Sequence, residues 1–560
     1  MRRAAIGAAA GLAASAPLIA ADAAPHANLI TSVAVGVVFA LGMGRIRGAY
    51  AEAAMAGCAL GVPLWIFVSC IGLPLLAGVA SAFSAEQMRA QFPALMGWAL
   101  YGCLLGVFTQ GLNGLADRWV GTEAEPERAP TGPPKRIVIL GGGFAGMTTA
   151  VWLENELGGD PSVSVTLVSD QNALLFTPML AEVAGGSLEP SHISAPLRTS
   201  LHQTEFLRGS AEAIDFERRT VTVSAVGGPS GSARELPYDH LVLALGSVSN
   251  YFGAANIQKH ALDFKTLLDA IRIRNHVIEM FERADRESDP AVRKALVTFV
   301  VAGGGFAGVE LAGAINDFAH GILADYPAVG VDEIRTALVH SRDRILPELS
   351  ESLGRYAQER MAARGVEFCL NTRVLDAGEG SVTLSTGEIR SQTLVWTAGT
   401  APSPLLKAVG LPTDKRGAVA VETTMAVPGH PGVWALGDCA ALNDGVSGKP
   451  CPPTAQFALR EGKALSKNIL RAVHGKAPVP FHFDSLGSLC VVGHQTACAE
   501  LTLPFARAKT LRFSGLLAWM MWRGIYVSKL PGLERKARVL LDWTFEIFFP
   551  RDIVQTIELK

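Results

Sequence analysis

The sequence predicts an α/β fold with two Rossmann-like dinucleotide-binding domains, an all-α transmembrane domain before them and a membrane-associated helical tail after them. Three observations predict it. An apolar run feeds a glycine fingerprint at Gly141 to Gly146, the same arrangement recurs at Gly303 to Gly308, and long apolar stretches fill the region before Arg118.

The chain has 560 residues, more than one hydrophobic core accommodates, and roughly 150 residues per domain suggests three or four units. Charged residues make up 18% and the mean hydropathy is +0.28, apolar for a soluble enzyme, so part of the chain is expected to meet lipid. A formal net charge of -2 provides no basic field, which argues against nucleic acid as a partner. Cys58, Cys70, Cys103, Cys369, Cys439, Cys451, Cys490 and Cys498 form no CxxC pair and no metal-ligand spacing. They read as small buried hydrophobes in a reducing compartment, and no metal site is expected.

The first apolar stretches run at about 4 to 21, 28 to 44, 53 to 80 and 92 to 115, near the ~20 residues that span a bilayer, and predict four transmembrane helices within residues 1–118. Arg2 and Arg3, then Arg45 and Arg47, then Arg118 fall on alternate loops. The positive-inside rule then puts the N-terminus and everything after residue 118 in the cytoplasm, on a multi-pass protein of the inner membrane. Ala21-Asp22-Ala23 resembles a signal cleavage site, and cleavage would leave the later topology unchanged. Aligning Pro17 with Pro63 matches Ala8 with Ala54, Ala10 with Ala56, Gly11 with Gly57, Ala13 with Ala59 and Leu18 with Leu64, which predicts two helical hairpins of one ancestry. Small residues favour close helix packing, and the absence of charge inside the spans favours an anchor or platform over a transporter. Residues 119–134, rich in Glu and Pro, read as a linker.

Arg136-Ile137-Val138-Ile139-Leu140 reads as a buried strand that feeds Gly141-Gly142-Gly143-Phe144-Ala145-Gly146 and then an apolar helix. In that context Gly141 permits the tight turn, Gly143 lets the backbone approach a pyrophosphate, and Gly146 packs helix on strand. The helix N-terminus favours the negative charge. Leu296 to Val301 leads in the same way into Gly303-Gly304-Gly305-Phe306-Ala307-Gly308, where Gly303, Gly305 and Gly308 take the same roles. A third piece, Val433-Trp434-Ala435-Leu436-Gly437-Asp438, is an apolar strand ending in Gly-Asp. Asp438 can accept hydrogen bonds from the ribityl hydroxyls of a flavin or serve as a helix N-cap.

These motifs, with Glu310 in Gly308-Val309-Glu310-Leu311-Ala312-Gly313 and with Pro452-Pro453-Thr454-Ala455-Gln456, resemble the type II NADH dehydrogenases, single-chain NADH:quinone oxidoreductases. Leu175 to Leu180, Tyr238 to Ser247 and Arg344-Ile345-Leu346-Pro347 add to the resemblance, which covers about residues 135 to 555. It implies that residues 135–265 and 396–500 form a divided FAD-binding domain, with Gly246, Asp438 and Gly399 at the cofactor. Residues 266–395 form an inserted NAD(P)H-binding domain, and residues 501–560 form C-terminal membrane-associated helices. The implied reaction is hydride transfer from NAD(P)H to FAD and reduction of a membrane quinone without proton pumping, with Glu310 near nicotinamide and flavin and Gln456 on the quinone side. Helix-dipole compensation is the plainer role for Glu310. The lipid bilayer is a further partner, and a homodimer is left open.

The chain departs from the family at three places. The strand after the first fingerprint ends in Ser169, with Asp170 next, and either can bind a ribose. The second ends in His340, followed by Ser341 and Arg342; an acid there would repel the extra phosphate of NADPH, whereas His340 and Arg342 can welcome it, so both donors stay open. Arg460 and Glu461 stand where the family has amides, and they can bond a quinone oxygen or bridge each other. The helix after the first fingerprint lacks the cysteine pair of flavin disulfide reductases. A sulfide:quinone-type oxidoreductase would need Cys439 and Cys451, and a membrane redox sensor is the non-enzymatic alternative. In the tail, Trp519, Met520, Met521, Trp522, Ile525 and Tyr526 with Arg523 and Lys529 suit a helix in the membrane interface, or a helix packed on a core.

Overall fold

The structure, a computed structural model, describes residues 2–20, 29–43, 50–72, 92–120, 134–157, 159–226, 233–502 and 510–555. Two compact units emerge. One comprises residues 1–127 with 531–541, the other residues 128–530 with 542–560. The cleavage-like Ala21-Asp22-Ala23, Arg45, Arg47 and nearly all of the linker lie outside the described residues.

The described part of the first unit is helical: α1 (Arg2–Ala20), α2 (Leu29–Met43), α3 (Tyr50–Leu64), which continues as a π-helix over Trp65–Gly72, and α4 (Phe92–Val120). Glycine sets its packing. A methyl group added at Gly11 of α1 would lie 2.1 Å from the Ser32 carbonyl of α2, and one at Gly57 of α3 would lie 1.7 Å from the Gly102 carbonyl of α4. Gly7 meets Gly36 as Ala53 meets Gly106. The sequence repeat thus has a counterpart in two hairpins packed in one register, backbone to backbone, as small residues allow. Tyr101 Oη donates to the Ser32 carbonyl at 3.1 Å, and Trp98 Nε1 donates to Ser69 Oγ at 3.0 Å.

Four membrane spans were expected; among the described residues only Pro93–Ala116, 24 residues long, is long and apolar enough to cross. α2 (Leu29–Met43) is strongly apolar, and the residues on both sides of it lie outside the described ones. The apolar core of α1 is the shorter, alanine-rich Ala4–Ala16.

In the second unit β1 (Lys135–Leu140) leads into α5 (Phe144–Leu157) and β2 (Val163–Ser169), followed by β3 (Glu205–Asp215), β4 (Thr220–Ala225), β5 (Arg234–Pro237) and β6 (His240–Leu243). A second set comprises β7 (Leu262–Asp263), β8 (Thr298–Ala302), α6 (Phe306–Ile322), β9 (Arg335–Val339), β10 (Val366–Cys369) and β11 (Thr393–Trp396). Then β12 (Val433–Ala435) pairs with β6, which makes a seven-stranded sheet of order β12-β6-β1-β2-β3-β4-β5. The second sheet is parallel throughout, in order β7-β11-β8-β9-β10. β8 is buried at all five positions, and its unbroken apolar run Phe299-Val300-Val301-Ala302 is what a parallel strand covered on both faces requires. Helix α7 (Ala455–Val473) packs on α5 at Gly462, where a methyl group would lie 2.8 Å from the Ala145 carbonyl.

The tail is not purely helical as expected. β13 (Gly487–Gly493), β14 (Thr496–Thr502) and β15 (Thr510–Ser514) form an antiparallel sheet on which α8 (Gly515–Lys529) packs, and α9 (Leu533–Phe548) follows in the chain. Cys490 and Val492 are buried in alternation with the less buried Val491, as on a sheet with one covered face, whereas Ala497, Cys498 and Ala499 are buried in succession. Of the two roles open to the tail aromatics, Trp522 and Trp543, 1% and 4% exposed, take the packing one.

Candidate functional site

The two cradles are built alike at the carboxyl ends of β1 and β8, where open parallel sheets place their ligands. Gly141 has φ +111 and Gly303 φ +121, conformations that L side chains rarely adopt. A methyl group at Gly146 would lie 2.0 Å from the Gly141 carbonyl, and one at Gly308 would lie 1.9 Å from the Gly303 carbonyl; each helix is drawn onto its turn. Beyond Gly143 there is no atom within 4 Å, and beyond Gly305 only Glu348 Oε1 at 3.6 Å. Both turns thus leave open backbone at the N-terminus of a helix, where donors and dipole favour a pyrophosphate.

Ser169, the last residue of β2, and His340, the residue just after β9, stand against the middle glycine of their cradles. Ser169 is buried beside Gly142, while Asp170 is exposed and its carboxylate accepts from the Gln171 amide at 2.8 Å. His340 lies against Gly304, and its Nδ1 accepts the Gly304 N–H at 3.0 Å. Burial, and then Arg342, hold His340 below the usual histidine range, so the ring is neutral with its proton on Nε2, an atom buried without a partner. The expected cation at this position is therefore an uncharged cap of the glycine turn. Arg342 is exposed.

Around the first cradle, Ser247 Oγ donates to Asp438 Oδ2 at 2.8 Å and accepts from Lys265 Nζ at 2.7 Å, with Lys265 3.8 Å from Asp438. Lys265 was not singled out from the sequence; its position just after β7 is the only signal. Gly246, at φ +63, has open space beside its Cα, and Gly437 turns at φ +72. A backbone open at Gly143 and Gly246, with a carboxylate at Asp438, fits a dinucleotide whose hydroxyls need acceptors. Gly399 lies under the Phe252 ring, where a methyl group would lie 2.6 Å away, and its carbonyl accepts the Asn250 N–H at 3.0 Å, beside the strand that carries Ser247.

Glu461 and Arg460 do not bridge each other. Glu461 Oε2 accepts the Gly437 N–H at 2.7 Å, and burial pushes its carboxyl up to about 7; Arg460 lies over the Phe483 ring at 5.2 Å. Gln456 uses both ends of its amide on one segment: Nε2 donates to the Gly487 carbonyl at 3.1 Å, and Oε1 accepts from the Leu486 N–H at 3.2 Å. Glu310 Oε1 accepts the Val491 N–H at 3.1 Å, and burial pushes its carboxyl up to about 8, a protonated acid at neutral pH. Cys439 is fully buried, donates to the Leu243 and Leu436 carbonyls, and is pushed up to about 11; Cys451 is pushed up to about 12. Neither is a ready nucleophile.

Residues 135–462 match the pyridine nucleotide-disulphide oxidoreductase family, and residues 485–552 match the NDH2 C-terminal domain. The type II NADH:quinone oxidoreductase Ndh of Mycobacterium tuberculosis is 31% identical over 438 residues, covering 75% of this chain and 90% of its own. The chain belongs to the type II NADH:quinone oxidoreductase family. It is therefore an oxidoreductase enzyme of a family whose cofactors are FAD and NADH. The external alternative NADH-ubiquinone oxidoreductase of Yarrowia lipolytica is 29% identical over 488 residues, covering 76% of this chain and 82% of its own. The NDH2 structure from Plasmodium falciparum in complex with NADH shares the fold, with a TM-score of 0.69 at 19% identity over 75% of this chain and 99% of that one.

Proposed function

We propose that the chain is a membrane-bound, FAD-dependent NADH:quinone oxidoreductase that does not pump protons. The single observation that carries this is the pair of like cradles at the ends of β1 and β8, the first of them joined to the Asp438–Ser247–Lys265 cluster. The first cradle, with Gly141, Gly143, Gly146 and the α5 N-terminus, takes the FAD pyrophosphate; Asp438, Ser247 and Gly246 receive its hydroxyls. The second, with Gly303, Gly305, Gly308 and the α6 N-terminus, takes the nicotinamide nucleotide. FAD, when bound, supplies the hydride acceptor and passes the electrons on to the quinone. The chain's part is to hold the two rings in register, exclude water and place a proton at Glu310.

The neutral His340 favours NADH. A ring that accepts the Gly304 N–H offers no cation to an adenosine phosphate, and Arg342 alone remains for that task. The cysteines support direct transfer from flavin to quinone over a sulfide:quinone mechanism, because Cys439 is buried, hydrogen-bonded and protonated.

Membrane binding is supported by exposed apolar side chains. Leu516 and Leu517 on α8, and Leu541, Phe545 and Phe548 on α9 with Phe549 after it, are 41% to 66% exposed. Such a surface fits the acyl boundary of a bilayer, where a quinone is dissolved. The four N-terminal helices are read as two membrane hairpins, with Val38, Met96 and Leu115 turned outward to lipid. Their described buried polar groups are the hydroxyls of Ser15, Ser32, Ser69 and Thr109, without a carboxylate for an ion path.

The cradles are separable by mutation. Gly143→Val abolishes FAD retention in purified protein. Gly305→Val leaves the flavin bound and prevents its bleaching by NADH. Retention of FAD by the first variant, or normal bleaching in the second, would refute the assignment.

A further inference from the structure

Reduction of a quinone by NADH follows the balance NADH + H⁺ + quinone → NAD⁺ + quinol. NADH contributes two electrons and one proton as a hydride, so one proton per turnover comes from solvent and has to reach the buried reaction site. Within the second unit, a small cavity of about 40 Å³ lies among the short helix Leu180–Ala184, α6, β13 and α8, lined in part by Glu182, Glu310, Asp317, His494, Trp522 and Arg523. His494 is exposed at its rim, and its backbone N–H donates to Asp317 Oδ2 at 2.6 Å. Its wall is mostly apolar, with carboxylates among it, and its volume suits on the order of one to three waters. Trp522 Nε1 lies within reach of the Glu310 carboxyl, and Arg523 Nε is buried with no partner among the described residues.

The charges in this cavity are unevenly matched. Arg523 is clamped between the rings of Trp519 at 3.8 Å and Trp543 at 4.4 Å. Its short ion pair, at 2.9 Å, is with Glu546, which also takes Arg551 at 3.4 Å and the Ser187 hydroxyl at 2.8 Å. Glu182 stands 3.8 Å from Arg523 and accepts only the Trp543 indole N–H at 2.9 Å. Glu546 is therefore the paired carboxylate and Glu182 the one with an oxygen to spare.

We propose that Glu182 and Glu310 are a coupled pair of buried carboxyls that takes up this solvent proton from the cavity at His494 and Asp317, with Glu182 acting through Glu310 as its positioning residue. The pairing rests on the NADH:quinone reading of the site. Burial is the main cause that raises both carboxyls, to about 7 for Glu182 and about 8 for Glu310, and the charge of Glu182 adds to the rise in Glu310. The groups facing Glu182 are Arg523 on α8, Glu546 and Trp543 on α9, Arg551 after it and Glu310 on α6. Those facing Glu310 are the Val491 amide and Cys490 on β13, and Trp522 and Tyr526 on α8. Both carboxyls titrate in the range in which the enzyme must exchange protons with solvent.

The test uses the full-length, flavin-loaded protein and Glu182→Gln, with flavin content as the check on folding. Infrared spectra across pH follow the C=O stretch of protonated carboxyls in the resting enzyme. The wild type shows bands from Glu182, Glu310 and Glu461 lost near neutral pH, the last identified by its absence in Glu461→Gln; Glu182→Gln removes its own band and lowers the midpoint of the Glu310 band, because the repulsion on Glu310 is gone. In stopped flow at pH 8 the variant is bleached by NADH at the wild-type rate and re-oxidised by quinone about tenfold more slowly, and Glu182→Asp restores most of the rate. An unmoved Glu310 midpoint together with an unmoved pH profile overturns the proposal. If Glu182→Gln loses flavin, Glu182→Asp carries the same infrared test, with a shifted midpoint expected. Failure of NADH to bleach the wild-type flavin would instead defeat the functional reading and leave the carboxyl titration standing.

Discussion

Two residues show how burial changes what a side chain can do. Glu461 was expected to face a quinone or Arg460; it caps the Gly437 turn from inside the protein. Burial raises its carboxyl from 4.5 to about 7, so between those values the unfolded chain has released a proton that the folded chain keeps. Stability attributable to this group then falls as pH rises through that window, by about 1.4 kcal/mol per pH unit. Glu461→Gln keeps an acceptor for Gly437 and removes the loss, so the Tm difference between variant and wild type is expected to grow in the variant's favour from pH 5 to pH 8; a difference independent of pH would contradict this. His340 has the opposite sign. Its pKa is depressed, so its cap on Gly304 is present above the ordinary 6.5 and is lost as pH falls and Nδ1 is protonated. His340→Ala leaves the Gly304 N–H without its partner, at a cost of about 1–3 kcal/mol, and the KM for NADH is expected to rise about tenfold. His340→Glu, with a carboxylate for ribose hydroxyls, is expected to widen the preference for NADH over NADPH in initial-rate comparisons. The glycines of both fingerprints were legible because their spacing is local. The place of Glu182 beside the Arg523 clamp was not, because it comes to Arg523 and Trp543 from more than 300 residues away in the chain.

At the scale of elements, β1 and β8 were legible as unbroken apolar runs, and α5 and α6 as the apolar helices that each glycine turn opens. The sheet of β13 to β15 was overlooked, because its strands carry a half-covered alternating pattern amid the aromatic residues of α8. Those aromatics split between two roles: Trp522 and Trp543 belong to the core, while Phe545, Phe548 and Phe549 remain outside. Burying a Phe in lipid stabilises by about 1.5–3 kcal/mol, so Phe545→Glu with Phe548→Glu should weaken the hold of α9 on a bilayer by more than tenfold. The expected readout in liposomes is a higher KM for a lipid-dissolved quinone with unchanged turnover of a water-soluble electron acceptor. Equal losses with both acceptors would place these side chains in structural packing instead.

For the whole molecule, the oxidoreductase unit and the helical unit answer to different sequence signals. The first is marked by motifs that bind, the second by a repeat that packs: Gly11 on Ser32 and Gly57 on Gly102. Replacing Gly57 by Leu has no room at 1.7 Å from a backbone carbonyl and is expected to open the α3–α4 hairpin, read as new protease sites within residues 50–120, while the flavin content stays at the wild-type level. Loss of flavin in that variant would tie the two units together in folding. The central claim, that one chain passes electrons from NADH through its flavin to a quinone, is tested most directly by anaerobic double mixing of the detergent-purified protein. NADH added first is expected to bleach the flavin absorbance in full, and quinone added second to restore it with one quinol formed per flavin. A flavin that NADH leaves oxidised, or one that stays bleached when quinone arrives, would contradict it.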